Sequence, residues 1–152
     1  MKSRDLDSQK LLTENLEAVI ESSYDGIFIT DGKANVIYLN SAYERITGVR
    51  RNELLGKNMD NLVRDNIISR SATLIVLKEK KVTTISQMFK TGNRVLVTST
   101  PIFNEDNEII LVVTNVRDVS ELENLKSEVD KSDRLLKQYV SQIEEFKAQI
   151  VK

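Results

Sequence analysis

From Glu121 onward the chain holds neither glycine nor proline, and Leu122, Leu125, Val129, Ser132, Leu136, Tyr139, Ile143, Phe146 and Ile150 recur at alternating spacings of three and four. That is a heptad repeat, apolar at every a and d position except Ser132, and it specifies a coiled-coil helix over 121–152. A helix of this length spans roughly 45 Å, far more than a small core can cover, so its seam calls for another helix. Leu, Val and Ile at the a positions favour a parallel homodimer held by Leu122, Leu125, Val129, Leu136, Tyr139, Ile143, Phe146 and Ile150. Ser132 weakens the centre, and parallel pairing sets Glu128 against Asp133. Leu135 and Val140 widen the stripe, which also admits an N-terminal helix beside the partner or a larger bundle.

What precedes this helix is material for one core: the whole chain has 152 residues, 40% of them apolar and 30% charged. Leu12, Leu16, Val19 and Ile20 predict an amphipathic helix within Leu11 to Ser23, with Ser8 or Thr13 available as cap, and 1–23 is taken as an N-terminal segment. Within 24–120, "GIFIT" and "NVIYLN" read as a hairpin turned by Asp31 and Gly32. "SAYE", Ser41 to Glu44, has capping-box spacing, and Gly48 sits where a left-handed residue would end a short helix. "RNELLGKN" repeats this with Asn52 as cap and Gly56 as terminator. "ATLIVLKEKK" reads as helix. "VTTISQMFK", "RVLVTSTPIF" and "EIILVVTNV" read as an antiparallel meander, with Pro101 near the end of its run, where a missing amide donor costs least.

Several chemistries are closed to the chain. It contains no cysteine and no histidine, so disulfides, thiolate nucleophiles, Ser-His pairs and imidazole ligands are excluded. Gly56 and Lys57 lack the earlier glycine of a phosphate-binding loop, Arg51 standing there, and the carboxylates show no metal-ligand spacing. The chain is expected to be no enzyme and to hold no metal. Its formal charge of −1 favours neither nucleic acid nor an acidic membrane. The longest apolar run, Ile109 to Val113, is far too short to span a bilayer, so a soluble, cytoplasmic protein is expected.

Two strands, a series of short helices, then three strands running into a long helix resembles a PAS sensory domain. "DGIFITDGKANVIYLNSAYERITG" is similar to that family's opening hairpin and first short helix, and "RDVSEL", Arg117 to Leu122, to its exit motif, with valine and serine where the family has isoleucine and threonine. The likeness covers Leu11 to Leu122 and implies an α+β fold: a five-stranded antiparallel sheet with short helices on one face, followed by the long coiled-coil helix. Through "VVTNVRDVSELENLKSE" the chain is most similar to the N-terminal PAS domain of bacterial sigma-54-dependent transcriptional activators. That likeness implies a regulatory sensor whose coiled coil leads to an AAA+ ATPase and a helix-turn-helix domain.

Strand alternation, with Phe89 paired to Val95 across "TGN", puts Gln87, Val97 and Ser99 on one face. The resemblance makes that the face toward the helices, and adds Phe28, Thr30, Val112 and Thr114 from neighbouring strands. Tyr43 is added from the first short helix. Together these residues form a candidate cup for a small organic ligand; they serve equally as ordinary core. Haem and cysteinyl-flavin chemistry, known in the family, lack their histidine and cysteine here. By resemblance Asp118 and Ser120 couple sheet to helix, while Asp118 also suits an N-cap. Two alternatives stay open: the PAS input of a histidine kinase, and a ligand-free dimerisation module filled by its own side chains.

Overall fold

The computed structural model describes residues 2–150; Met1, Val151 and Lys152, the ends of the predicted terminal segments, lie outside the described residues. Helices α1 (Lys2–Glu14) and α2 (Leu16–Glu21) meet at Asn15, whose ψ of 16° breaks the helix and whose side-chain amide donates to the Leu11 carbonyl at 2.7 Å. The helix thus starts well before Leu11, and Ser8 and Thr13 lie inside α1 rather than capping it. Thr13 instead returns its hydroxyl to the Gln9 carbonyl at 2.8 Å. Leu12, Leu16 and Val19 remain about half exposed.

Strands β1 (Gly26–Asp31) and β2 (Val36–Leu39) form the expected hairpin. Its turn is organised by Asp31, whose Oδ1 accepts the amides of Lys33 and Asn35, each at 2.9 Å. Three short helices follow: α3 (Ser41–Thr47), α4 (Arg51–Leu54) and α5 (Met59–Arg64). The capping of the first two differs from the sequence expectation. Asn40, not Ser41, caps α3 by accepting the Tyr43 amide at 3.0 Å, while Glu44 is drawn away to the Arg51 amide. Helix α4 begins one residue before Asn52, with the Glu53 carboxylate accepting the Arg50 amide at 2.9 Å. Gly48, at φ 74°, ends α3 in the left-handed conformation as expected. The run "ATLIVLKEKK" forms helix α6 (Ala72–Glu79) as expected, capped by the Ser71 hydroxyl.

Strands β3 (Thr83–Met88), β4 (Arg94–Phe103) and β5 (Ile109–Asp118) complete an antiparallel sheet of order β2-β1-β5-β4-β3. The β3–β4 register differs from the expectation by two residues: Gln87 pairs with Val95, Ile85 with Val97 and Thr83 with Ser99. The turn is the cause. Gly92, at φ 81°, donates its amide to the Phe89 carbonyl and Phe89 bonds back to Asn93, so Phe89 faces Asn93 and not Val95. A slip of two preserves the pleat, so every side chain keeps its face. Pro101 pairs with Val112 of β5, beyond Ser99, where β3 ends.

The core lies between the sheet and the short helices, with α6 against β3, β4 and β5 and α3 against β1 and β5. Leu39, Leu54, Leu62, Val36, Val76, Val95, Val112 and Val116 are among its fully buried side chains. The expected α+β arrangement, a five-stranded antiparallel sheet with helices on one face and a long helix after it, is the one observed. Two compact units divide between Asp118 and Val119, and the second is the single helix α7 (Ser120–Ile150).

Candidate functional site

Alternation along the strands sends Phe28 and Thr30 of β1, Val97 and Ser99 of β4, and Val112 and Thr114 of β5 into the core. Cross-strand pairing then stacks Phe28 beside Thr114 and Thr114 beside Ser99. The Ser99 and Thr114 hydroxyls lie 2.6 Å apart, and Thr73 of α6 reaches Thr114 at 3.3 Å. These three buried hydroxyls satisfy one another, as groups removed from water must. Phe28, Tyr43, Gln87, Val97 and Thr114 also border a cavity of about 20 Å³, lined from the helix side by Met59, Ile68 and Ala72. That is room for about one water molecule.

Of the eight residues chosen from sequence, those five meet at the cavity and the other three do not. Thr30 gives its hydroxyl to the Asp31 carbonyl at 3.0 Å, Val112 is wholly buried in the sheet, and Ser99 is spent on Thr114. Gln87 stands at the rim, where its amide donates to Ser69 at 3.1 Å. Tyr43 stacks on Phe28 with ring centroids 5.4 Å apart, and burial pushes its phenol far above the ordinary tyrosine range.

Asn40 holds this face in place. Its Oδ1 accepts the amides of Ile27 and Tyr43, and its Nδ2 donates to the Ile20 and Asp25 carbonyls, joining α2, β1 and α3. Glu21 forms a second junction. Its carboxylate accepts the Tyr38 hydroxyl at 2.7 Å, the Ser41 hydroxyl at 2.9 Å and Arg51 at 3.0 Å. The Tyr38 bond is the main reason that carboxyl is held below its usual range. Burial, then the bond to Glu21, pushes Tyr38 up to about 12. A third junction places Arg117 and Asn115 of β5 on one oxygen of Asp25, with Arg117 contacts at 3.1 and 3.2 Å. Sequence reasoning missed all three, because apart from the Asn40 cap on Tyr43 the partners lie 13 to 92 positions apart and form no motif.

Asp118 is the last residue of β5 and Ser120 the first of α7. The first turn of α7 opens with the Val119 carbonyl accepting the Glu123 amide at 2.9 Å. On α7 the eight seam residues from Leu122 to Ile150 are each 53–67% exposed. Among the described residues no group of three Asp, Glu, His or Cys side chains could hold a metal ion. No helix among them is long and apolar enough to cross a membrane.

A family model described as "PAS domain" matches residues 25–121, well over half of the chain. The chain belongs to the PAS domain family. Its PAS unit therefore belongs with sensory modules, and nothing in it shows catalytic activity. A curated relative is the hybrid signal transduction histidine kinase L of Dictyostelium discoideum, 28% identical over 136 residues, which are 87% of this chain and only 8% of that protein. Among solved structures, an RNA-binding Light-Oxygen-Voltage receptor superposes with a TM-score of 0.60 at 19% identity, over 82% of this chain and 38% of the other. The PAS domain of Bordetella pertussis BvgS gives 0.56 at 19% identity, over 80% and 96%. At these identities the two structures share the PAS fold and no more.

Proposed function

We propose that this PAS domain is the input module of a larger signalling protein, that it works as a parallel homodimer, and that α7 carries its state to a downstream effector. The observation that carries the reading is the seam of α7: eight large apolar side chains in heptad register, exposed along the whole helix. A stripe of that length in water is stabilised by pairing with another helix, and two copies side by side give the simplest closed arrangement. A parallel pair brings two effector domains together. The likeness to sigma-54-dependent activators favours an AAA+ ATPase with a helix-turn-helix domain as the effector; the Dictyostelium relative favours a histidine kinase core.

The cavity bears on how the module is set. Organic ligands generally occupy pockets of about 300–1,000 Å³, whereas the space here is about 20 Å³. The geometry favours a PAS unit filled by its own side chains, responding through its contacts and its dimer. A small organic ligand is the second reading, favoured by the buried hydroxyls of Thr73 and Thr114 that line the cavity. It requires the Arg70–Thr73 segment to move outward, and a compound that raises the melting temperature would support it.

Sedimentation of the chain at micromolar concentration tests the dimer. The wild type is expected to be a dimer and the Leu125→Glu, Ile143→Glu double variant a monomer with an unchanged sheet. A monomeric wild type, or an unaffected dimer in the variant, overturns the reading.

A further inference from the structure

The sheet has two edges, and they are treated differently. Edge β2 is covered at its start: Val36 donates its amide to the Lys57 carbonyl and accepts the Gly56 amide, each at 2.9 Å, and Asn35 bridges to Asn58. Edge β3 is open. Among the described residues, no backbone bond outside its ladder with β4 engages Thr84, Ser86 or Met88. The turn fixes their direction. Phe89 bonds inward to Asn93, so Gln87, Ile85 and Thr83 face β4, and the N–H and C=O groups of Thr84, Ser86 and Met88 point away from the sheet.

Open edges are commonly blunted by a charge, a proline or a bulge within the strand. From Val82 to Phe89 there is no charge, proline or glycine, and the β3–β4 register is unbroken. Val82 and Met88 are 59% and 58% exposed. The charges stand at the two ends instead: Lys78, Glu79, Lys80 and Lys81 before the strand and Lys90 after it, all exposed and net positive at each end.

We infer that the β3 edge receives an extended peptide strand from a partner, with an uncharged centre of alternating apolar and hydroxyl residues and acidic residues at both ends. The centre supplies the missing ladder partners for Thr84, Ser86 and Met88, and its apolar side chains meet Val82 and Met88. The acidic ends meet the lysines. A second copy of the chain fits less well. The most extensive antiparallel self-pairing, centred on Ile85, sets Val82 opposite Met88 but also Lys80 opposite Lys90 at each end. The inference is independent of the dimer seam on α7 and of any ligand in the cavity.

The test uses the full chain and two fluorescein-labelled peptides sharing a Val-Thr-Val-Thr-Val centre, one with Glu-Glu at both ends and one with Lys-Lys. The acidic peptide is expected to bind in anisotropy titrations and to slow amide exchange at Thr84, Ser86 and Met88, leaving Ile85 and Gln87 unchanged. The basic peptide, and the acidic peptide against the Lys80→Glu, Lys81→Glu variant, are expected to bind about tenfold more weakly, or about 1.4 kcal/mol. Ser86→Pro removes an outward amide without touching the β4 ladder and is expected to abolish binding; if it fails to fold, the charge variant still decides. No binding, equal binding of both peptides, or protection elsewhere would overturn the inference. So would Thr84, Ser86 and Met88 amides already protected in the free chain, which would assign the edge to a second copy.

Discussion

Asn40 is wholly buried, with both ends of its side-chain amide bonded to backbone groups of three different elements. Replacing it with alanine leaves buried donors and acceptors without partners, each costing about 1–3 kcal/mol. Asn40→Ala is therefore expected to lower stability by about 2–4 kcal/mol, read from the urea midpoint. A change under about 1 kcal/mol would show that water or rearranged backbone takes its place. Tyr38 and Glu21 make a second prediction, with a sign for each. Tyr38 is raised from 10.0 to about 12, so its contribution is complete below pH 10 and is lost as pH rises through about 12. Glu21 is lowered from 4.5, so its contribution is present above pH 4.5 and is lost as pH falls through the lowered value. The link between α2 and the sheet is thus expected to hold across the neutral range and to open at both extremes. The phenolate absorbance of wild type minus that of Tyr38→Phe is expected to show a midpoint near 12; a midpoint near 10 would mean that Tyr38 is neither sheltered from water nor bonded to Glu21 as described.

At the level of elements, the β1–β2 turn is pressed against the start of β5. A Cβ on Gly32 would fall on the Ile109 carbonyl oxygen, a backbone atom with little freedom to yield. Gly32→Ala is expected to cost about 1–3 kcal/mol by forcing the hairpin off β5, with faster amide exchange at Asp31 and Leu111 as the local sign. Unchanged exchange there would place the turn farther from β5 than described. The hairpin itself was legible because its chemistry is local: Asp31 organises the turn and apolar residues alternate on both sides. The run of short helices was legible for the same reason at Gly48 and Gly56. The caps were misread because asparagine at the end of a strand and at the start of a helix look alike in sequence, and Asn40 serves as both. The β3–β4 register was misplaced by two because the three-residue turn with Gly92 at its end was not recognised. The cavity-facing residues survived that error through the period of two. The junctions at Glu21 and Asp25 were invisible, since a salt bridge between residues 92 positions apart leaves no periodic trace.

Over the whole molecule, a PAS unit whose core cavity has room for about one water precedes in sequence a helix that buries none of its apolar seam. The first has its own core, formed by packing of helices on the sheet; the second is proposed to pair with another copy. In the proposed dimer, signal output rests on how two α7 helices pair, and Ser132 at the centre of the seam is where that pairing is weakest. The chain contains no cysteine, so one introduced at this position reports on its own symmetry mate without interference. In a parallel, in-register pair the two d positions approach within disulfide reach, Cα atoms about 4.4–6.8 Å apart, whereas an antiparallel pair sets residue 132 against a different part of the helix. Mild oxidation of the Ser132→Cys variant at micromolar concentration, followed by non-reducing electrophoresis, is therefore the direct measurement: near-complete conversion to a covalent dimer is the predicted result, and a chain that stays monomeric on the gel would contradict the parallel homodimer.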